Sequence, residues 1–118
     1  MGDRELLELA AKAAGYQTNH PWNELRLEMT PPVVALCIDG VSTGWNPLEH
    51  DGDALRLAVM LGMILVIGPC QIKASTTSGS LRGNFFVEDM IFNDGNEATR
   101  RAIVRAAAEI GKHNEVKA

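Results

Sequence analysis

The chain has few aromatic residues and few cysteines. Aromatic side chains make up 5% of the 118 residues, and the two cysteines, Cys37 and Cys70, stand far apart. Disulfide-stabilised small domains are rich in cysteine, and structural zinc sites space their ligands in close pairs. Neither pattern occurs here. We therefore expect two reduced and mostly buried thiols, and the sequence predicts no metal and no cofactor.

A long apolar run and an excess of positive charge are also lacking. The longest uncharged apolar stretch, residues 57–70, is interrupted by Gly62, Gly68 and Pro69 and falls short of the ~20 residues that span a membrane. The first residues have neither the cationic nor the apolar segment of a secretory signal. The formal net charge is -4, which opposes binding to a phosphate backbone. We expect a cytoplasmic protein that contacts neither membrane nor nucleic acid.

What is present is an ordinary globular composition, with 46% hydrophobic and 22% charged residues. The length predicts one domain over residues 1–118. Apolar residues at helical spacing predict a helix from Asp3 to Ala14, capped by Asp3 and ended by Gly15. A second helix is expected from about Asp53 to Leu61 and a third after Asp94, with a frayed polar tail over residues 114–118.

Three strands are predicted between the second and third of these helices. The continuously apolar run Met63 to Ile67 is typical of a central strand covered on both faces. Residues 71–76 and 81–88 alternate polar and apolar, which indicates two further antiparallel strands. Residues 20–30 show no firm element, and residues 33–38 could form a strand. Consecutive strands with short connections predict an α+β fold, with three helices and about three strands in an α-β-α sandwich-like arrangement.

Several blocks of the sequence resemble one family. They read Trp-Asn-Pro-Leu at 45–48 and Asp-Gly-Asp-Ala-Leu-Arg-Leu-Ala-Val at 51–59, with alanine-rich segments at 5–15 and 98–112. In these blocks the chain resembles a family of small phage and prophage proteins that is named for an α-β-α sandwich domain. The resemblance covers about half of the chain. It implies a bacterial cytoplasm, and it carries no catalytic residues to transfer.

The block at the midpoint has a structural interpretation. Trp45 is expected to anchor the loop in the core, Asn46 and Pro47 to set the direction of the chain, and Asp51 or Asp53 to accept the first amides of a helix. The same acidic residues with His50 could in principle bind a divalent ion, but helix capping explains both aspartates.

The basic residues of the last helix also have a structural interpretation. Glu97, Arg101, Arg105 and Glu109 fall four residues apart, so that they can pair along a solvated face. A serine-rich segment at 75–80 with Arg82 could hold an anion through its amides. A serine-rich hairpin is the commoner explanation.

The hypothesis for function is an accessory protein that binds a host or phage protein without catalysis. The expected contact lies in residues 16–43, where Trp22, Leu25 and Leu27 are the usual material of a binding hot spot. The alternative is a small-molecule or nucleotide binder, or an enzyme, that uses the 49–53 loop or the 75–82 hairpin. Self-association through a sheet edge at residues 81–87 is compatible with either.

Overall fold

The part of the chain that the structure describes forms four helices and a three-stranded sheet. In a computed structural model, residues 2–27, 35–38, 44–76, 85–90 and 95–117 are described. The elements are, in order, α1 (Asp3–Ala14), α2 (Pro21–Leu27), α3 (Asp51–Met60), β1 (Met63–Ile67), β2 (Gln71–Thr76), β3 (Phe85–Met90) and α4 (Gly95–Lys117). The α+β class is confirmed. The described residues contain one helix more than the three expected, namely α2.

The observed ends of α1 and α4 agree only in part with the predicted ends. α1 has the predicted limits, and Gly15 ends it with φ of 82°, in the left-handed region that glycine adopts without strain. The prediction that Asp3 caps α1 is wrong: Gly2 is the N-cap, and the Asp3 carboxylate pairs with Arg101 at 3.3 Å. α4 continues to Lys117, so the segment over residues 114–117 is helical.

The sheet is an antiparallel meander in the order β1-β2-β3. On one face, Ile72 and Ala74 of β2 pack against Ala102 and Ala106 of α4. α3 packs against β1, and α1 packs against α4 on the side away from the sheet. The layers of the described part of the chain are therefore sheet, then α3 with α4, then α1.

The other face of the sheet is exposed at β1. Ile64 is 49% exposed and Val66 is 56% exposed. The prediction that Met63 to Ile67 is a covered central strand is wrong, since β1 lies at an edge of the sheet. A short apolar run does not reveal how many of its faces are buried. An α-β-α sandwich has helices on both faces of its sheet. The described helices lie on one side of this sheet, so the described part of the chain does not have that arrangement.

Small residues allow α1 and α4 to approach closely. Buried alanines line both helices where they meet, at positions 10 and 11 of α1 and 107 and 108 of α4. Gly111 of α4 lies directly against the backbone of Leu9, and a Cβ atom at this position would overlap the Leu9 carbonyl group. Backbone atoms cannot swing aside as the end of a long side chain can, so residue 111 must be glycine for this packing.

We expect Gly111→Ala to lower the free energy of unfolding by about 1–3 kcal/mol or more, the usual cost of overpacking a close contact. Gly52→Ala is the matched control, because its Cβ would meet only the flexible guanidinium end of Arg56, at 3.4 Å. In that variant the gain in helix propensity should leave stability unchanged or raise it by up to about 1 kcal/mol. Urea unfolding measures both, and equal stability of the two variants would contradict the close approach.

Candidate functional site

The short helix α2 presents two large apolar side chains to solvent. Trp22 is 53% exposed and Leu25 is 55% exposed. They are three residues apart and therefore neighbours on one side of the helix. The side chain of Leu27, the third residue expected at a partner contact, lies outside the described residues. The structure thus brings Trp22 and Leu25 together on the surface.

Between them, Asn23 holds the helix to the protein from its buried side. Asn23 is 2% exposed. Its Oδ1 accepts the Cys37 amide at 2.7 Å, and its Nδ2 donates to the carbonyl groups of Cys37 at 3.1 Å and Thr18 at 2.6 Å. Both hydrogens of the Asn23 amide and its oxygen are used. The side chain pairs with Cys37 much as an antiparallel strand would.

The beginning of α2 is fixed by contacts of its own. Pro21 occupies the first helical position, where a missing N–H costs nothing. His20 Nδ1 accepts the Trp22 amide at 3.1 Å, and the two rings meet edge to face at 5.6 Å between centroids. Arg4 Nη1 donates to the Asn23 carbonyl at 3.3 Å, which ties α2 to α1. Trp22 is therefore displayed from a backbone that several contacts hold in place.

Sequence reasoning found the exposed pair but not the helix or its clamp. Proline at position 21 followed by apolar residues at 22 and 25 is a helix start signal with helical spacing, but the sequence analysis assigned no element to residues 20–30. No local pattern pointed to Asn23, because its partner Cys37 lies 14 residues away in the chain.

The midpoint motif is built into the core. Trp45 is buried and packs edge to face on Tyr16, with 5.6 Å between ring centroids. Its backbone forms an isolated bridge with Leu36, in which the Leu36 amide donates to Trp45 at 3.0 Å and the Trp45 amide donates back at 2.6 Å. Pro47 is fully buried beside it. These contacts hold residues 35–38 and 44–48 together as one layer over α1.

Asn46 and Asp53 bind each other across the start of α3. The backbone amide of Asn46 donates to Asp53 Oδ2 at 3.0 Å, and the side-chain oxygen Oδ1 of Asn46 accepts the backbone amide of Leu48 at 3.0 Å. The other oxygen of Asp53 pairs with Arg56 at 2.7 Å. Asp53 thus fastens the preceding loop to the helix.

The expected helix-capping role of the aspartates needs correction. α3 begins at Asp51, and its N-cap is His50, whose side chain makes no capping hydrogen bond. Asp51 Oδ1 instead accepts from Arg100 Nη1 at 2.6 Å, while Arg100 Nε donates to the Leu48 carbonyl at 2.9 Å. The capping pattern of the sequence could not reveal that an arginine 49 residues away would form an ion pair with the Asp51 carboxylate.

Arg100 lines two cavities among the described residues. The larger, of about 440 Å³, lies between α3, the end of β1 and the start of α4; its walls include Leu55, Leu65, Ile67 and Ile103, and Asp51, Thr99 and Arg100 supply polar groups. The smaller, of about 320 Å³, is lined by side chains of both charges, including Asp3, Glu49, Glu97, Arg100 and Arg101. The predicted 49–53 loop reaches both cavities. Residues 77–82 of the predicted hairpin lie outside the described residues.

The two thiols differ in their exposure to solvent. Cys37 is buried, but Cys70 is exposed in the turn between β1 and β2, so the expectation of two mostly buried thiols is wrong for Cys70. Across the described ranges, no three His, Cys, Asp or Glu side chains are grouped as a metal site would require. The helices of these ranges include none with the length and apolar character of a membrane span.

Comparison of the chain with protein-family models, with curated proteins and with solved structures finds no match in any of the three.

We expect Asn23→Ala to lower the free energy of unfolding by about 2–4 kcal/mol, because each buried backbone group left unpaired costs about 1–3 kcal/mol. Amide hydrogen exchange should accelerate in α2 and at Cys37 more than in α1. Glu24→Ala, at an exposed position of the same helix, should change stability by no more than about 0.5 kcal/mol. If α2 exchanged no faster in Asn23→Ala than in Glu24→Ala, the clamp would be disproved.

Proposed function

We propose that this protein is a phage or prophage accessory protein that acts in the bacterial cytoplasm by binding a host or phage protein through α2, without chemistry of its own. The proposed phage origin is supported by the resemblance of residues 45–59 and 98–112 to the family of small phage and prophage proteins described in the sequence analysis. The binding role is supported by the display of Trp22 and Leu25.

The proposal rests on one observation: two large apolar side chains, Trp22 and Leu25, are exposed on a helix whose backbone is held in place. Tryptophan is the residue type most enriched in binding hot spots, and leucine beside it enlarges the apolar contact. A contact whose backbone is already ordered loses less conformational freedom when a partner binds. Asn23 provides that order by its three hydrogen bonds under the exposed pair.

The surroundings of the pair have the character of an interface rim. His20 and Glu24 are exposed beside Trp22, and a typical interface surrounds its apolar centre with polar side chains. The surface that fits this arrangement is an apolar pocket on the partner, wide enough for an indole ring and edged by groups that can pair with a carboxylate.

We expect Trp22→Ala and Leu25→Ala each to weaken the complex at least tenfold, while both variants remain folded because the removed side chains are mostly exposed. The partner is recovered from a bacterial lysate, purified, and titrated calorimetrically against each variant. Glu24→Ala on the same helix is the control and should bind within about threefold of the wild type. Equal affinity of the wild type and Trp22→Ala for the purified partner would refute the proposal.

A second candidate function is the binding of a nucleotide or another small anionic molecule in the larger cavity. Its volume lies within the range of ligand pockets, ~300–1,000 Å³, and apolar walls with a few convergent polar groups are typical of such sites. Arg100 supplies a guanidinium group, which suits a phosphate. Asp51 from the predicted 49–53 loop stands beside it at 2.6 Å.

If this second function holds, ATP or GTP with Mg²⁺ or Mn²⁺ should raise the thermal midpoint of the wild type, because a ligand that binds only the folded state stabilises it. Arg100→Met should abolish the rise measured against its own ligand-free midpoint. Arg56→Met, which removes an exposed guanidinium outside the cavity, should retain it. No rise with any of these probes would eliminate the second candidate.

A further inference from the structure

The outer edge of β1 is open for pairing. β1 is the first strand of the sheet, and within the described residues no strand pairs with its outer side. Natural sheet edges are commonly protected by lysine, proline or a bulge. The five residues Met63–Ile67 contain no charged residue and no proline. Their outward backbone groups form an unprotected row of hydrogen-bond donors and acceptors.

Exposed apolar side chains flank this edge on both faces of the sheet. Ile64 and Val66 lie on the open face, and Ile67 lies on the helix face and is also more than half exposed. Leu55 of α3 lines the same cavity as Ile67, which places this flank of α3 beside the end of β1. Val59, at 72% exposure, follows one turn later on that flank. We call these five residues the β1 edge surface.

We propose that the β1 edge surface binds a second copy of this chain. The two β1 strands pair antiparallel, and the two-fold axis passes midway between Leu65 of one copy and Leu65 of the other. In this register Ile64 lies opposite Val66 of the second copy, and by symmetry the contact occurs twice. An axis perpendicular to the sheet keeps the helices of both copies on the same side. The Leu55 and Val59 flank of α3 therefore meets the same flank of the second copy.

The fit to a second copy follows from symmetry, charge and area. One rotation covers all five apolar side chains and satisfies the open backbone edge, as expected for an interface between identical surfaces. The surface itself contains no charged residue, so the net charge of -4 on each copy does not place like charges directly in contact.

The area is close to what a specific interface needs. A valine, leucine or isoleucine residue exposes on the order of 150 Å² in an unfolded chain, so each of these five, at 49–72% exposure, exposes roughly 100 Å². Five from each copy bury about 1,000 Å² in total, which is near the lower limit for a specific interface. The result is a dimer with a continuous six-stranded sheet that dissociates on dilution. The dimer is independent of α2 and of the proposed function.

The first test is the mass in solution. Sedimentation equilibrium of the wild type from about 1 to 300 μM should show a rise from the monomer mass towards twice that mass. Val66→Lys should raise the dissociation constant at least tenfold, because two lysines would face apolar residues across the axis. Met60→Lys is the matched control: Met60 is similarly exposed but contacts Tyr16, so the variant should dimerise within about twofold of the wild type.

A monomer mass at every concentration, or an equal effect of the two lysines, would overturn the proposal. In the first case, an added strand from another protein would become the better occupant of the edge.

The second test examines the register. Ile64→Cys and Val66→Cys are made separately in a Cys70→Ser background, which removes the exposed native thiol. Directly opposed strand residues have Cβ atoms ~4.5–5.5 Å apart, whereas diagonal neighbours are ~7–8 Å apart. Mild oxidation of the mixture should therefore give a linked heterodimer in clear excess over the linked homodimers. A dimer without that preference would overturn the pairing of β1 with β1.

Discussion

The close approach of α1 and α4 is the constraint on which the rest of the structure depends. Gly111 allows the backbone of α4 to lie against that of Leu9, and buried alanines continue the contact along both helices. α4 uses a different set of alanines, Ala102 and Ala106, against the sheet. Because α4 contacts α1, α3, β2 and β3, its position relative to α1 determines where α3 and the sheet lie.

Apolar packing supplies the core, but two buried asparagines position the loops over it. The Asn23 side chain joins α2 to Cys37, and the Asn46 side-chain oxygen accepts the Leu48 amide in the loop before α3. A buried amide without partners is costly, so each asparagine favours one arrangement of its loop over all others. Trp22 and Leu25 owe their fixed display to this, since α2 is too short to be stable as an isolated helix.

Three aspartates of the described residues pair with arginines from distant parts of the chain or from the next helical turn. Asp51 pairs with Arg100, Asp3 with Arg101, and Asp53 with Arg56. Pairs with this much solvent exposure contribute little to stability. They do direct the carboxylates towards guanidinium groups, so that Asp51 links α3 to α4, whereas Asp53 links the preceding loop to α3.

Sequence alone determined the features that depend on neighbours in the chain. The limits of α1 follow from its periodicity and Gly15, and the α+β class follows from the order of the elements. The hydrophobic pattern of the sequence did not reveal which face of β1 is exposed. It also did not reveal that Asn23 would form hydrogen bonds with Cys37, or that Arg100 would form an ion pair with Asp51. The contacts of Asn23 and Arg100 join residues 14 to 52 apart in the chain, and only the tertiary packing of the elements brings such residues within hydrogen-bonding distance.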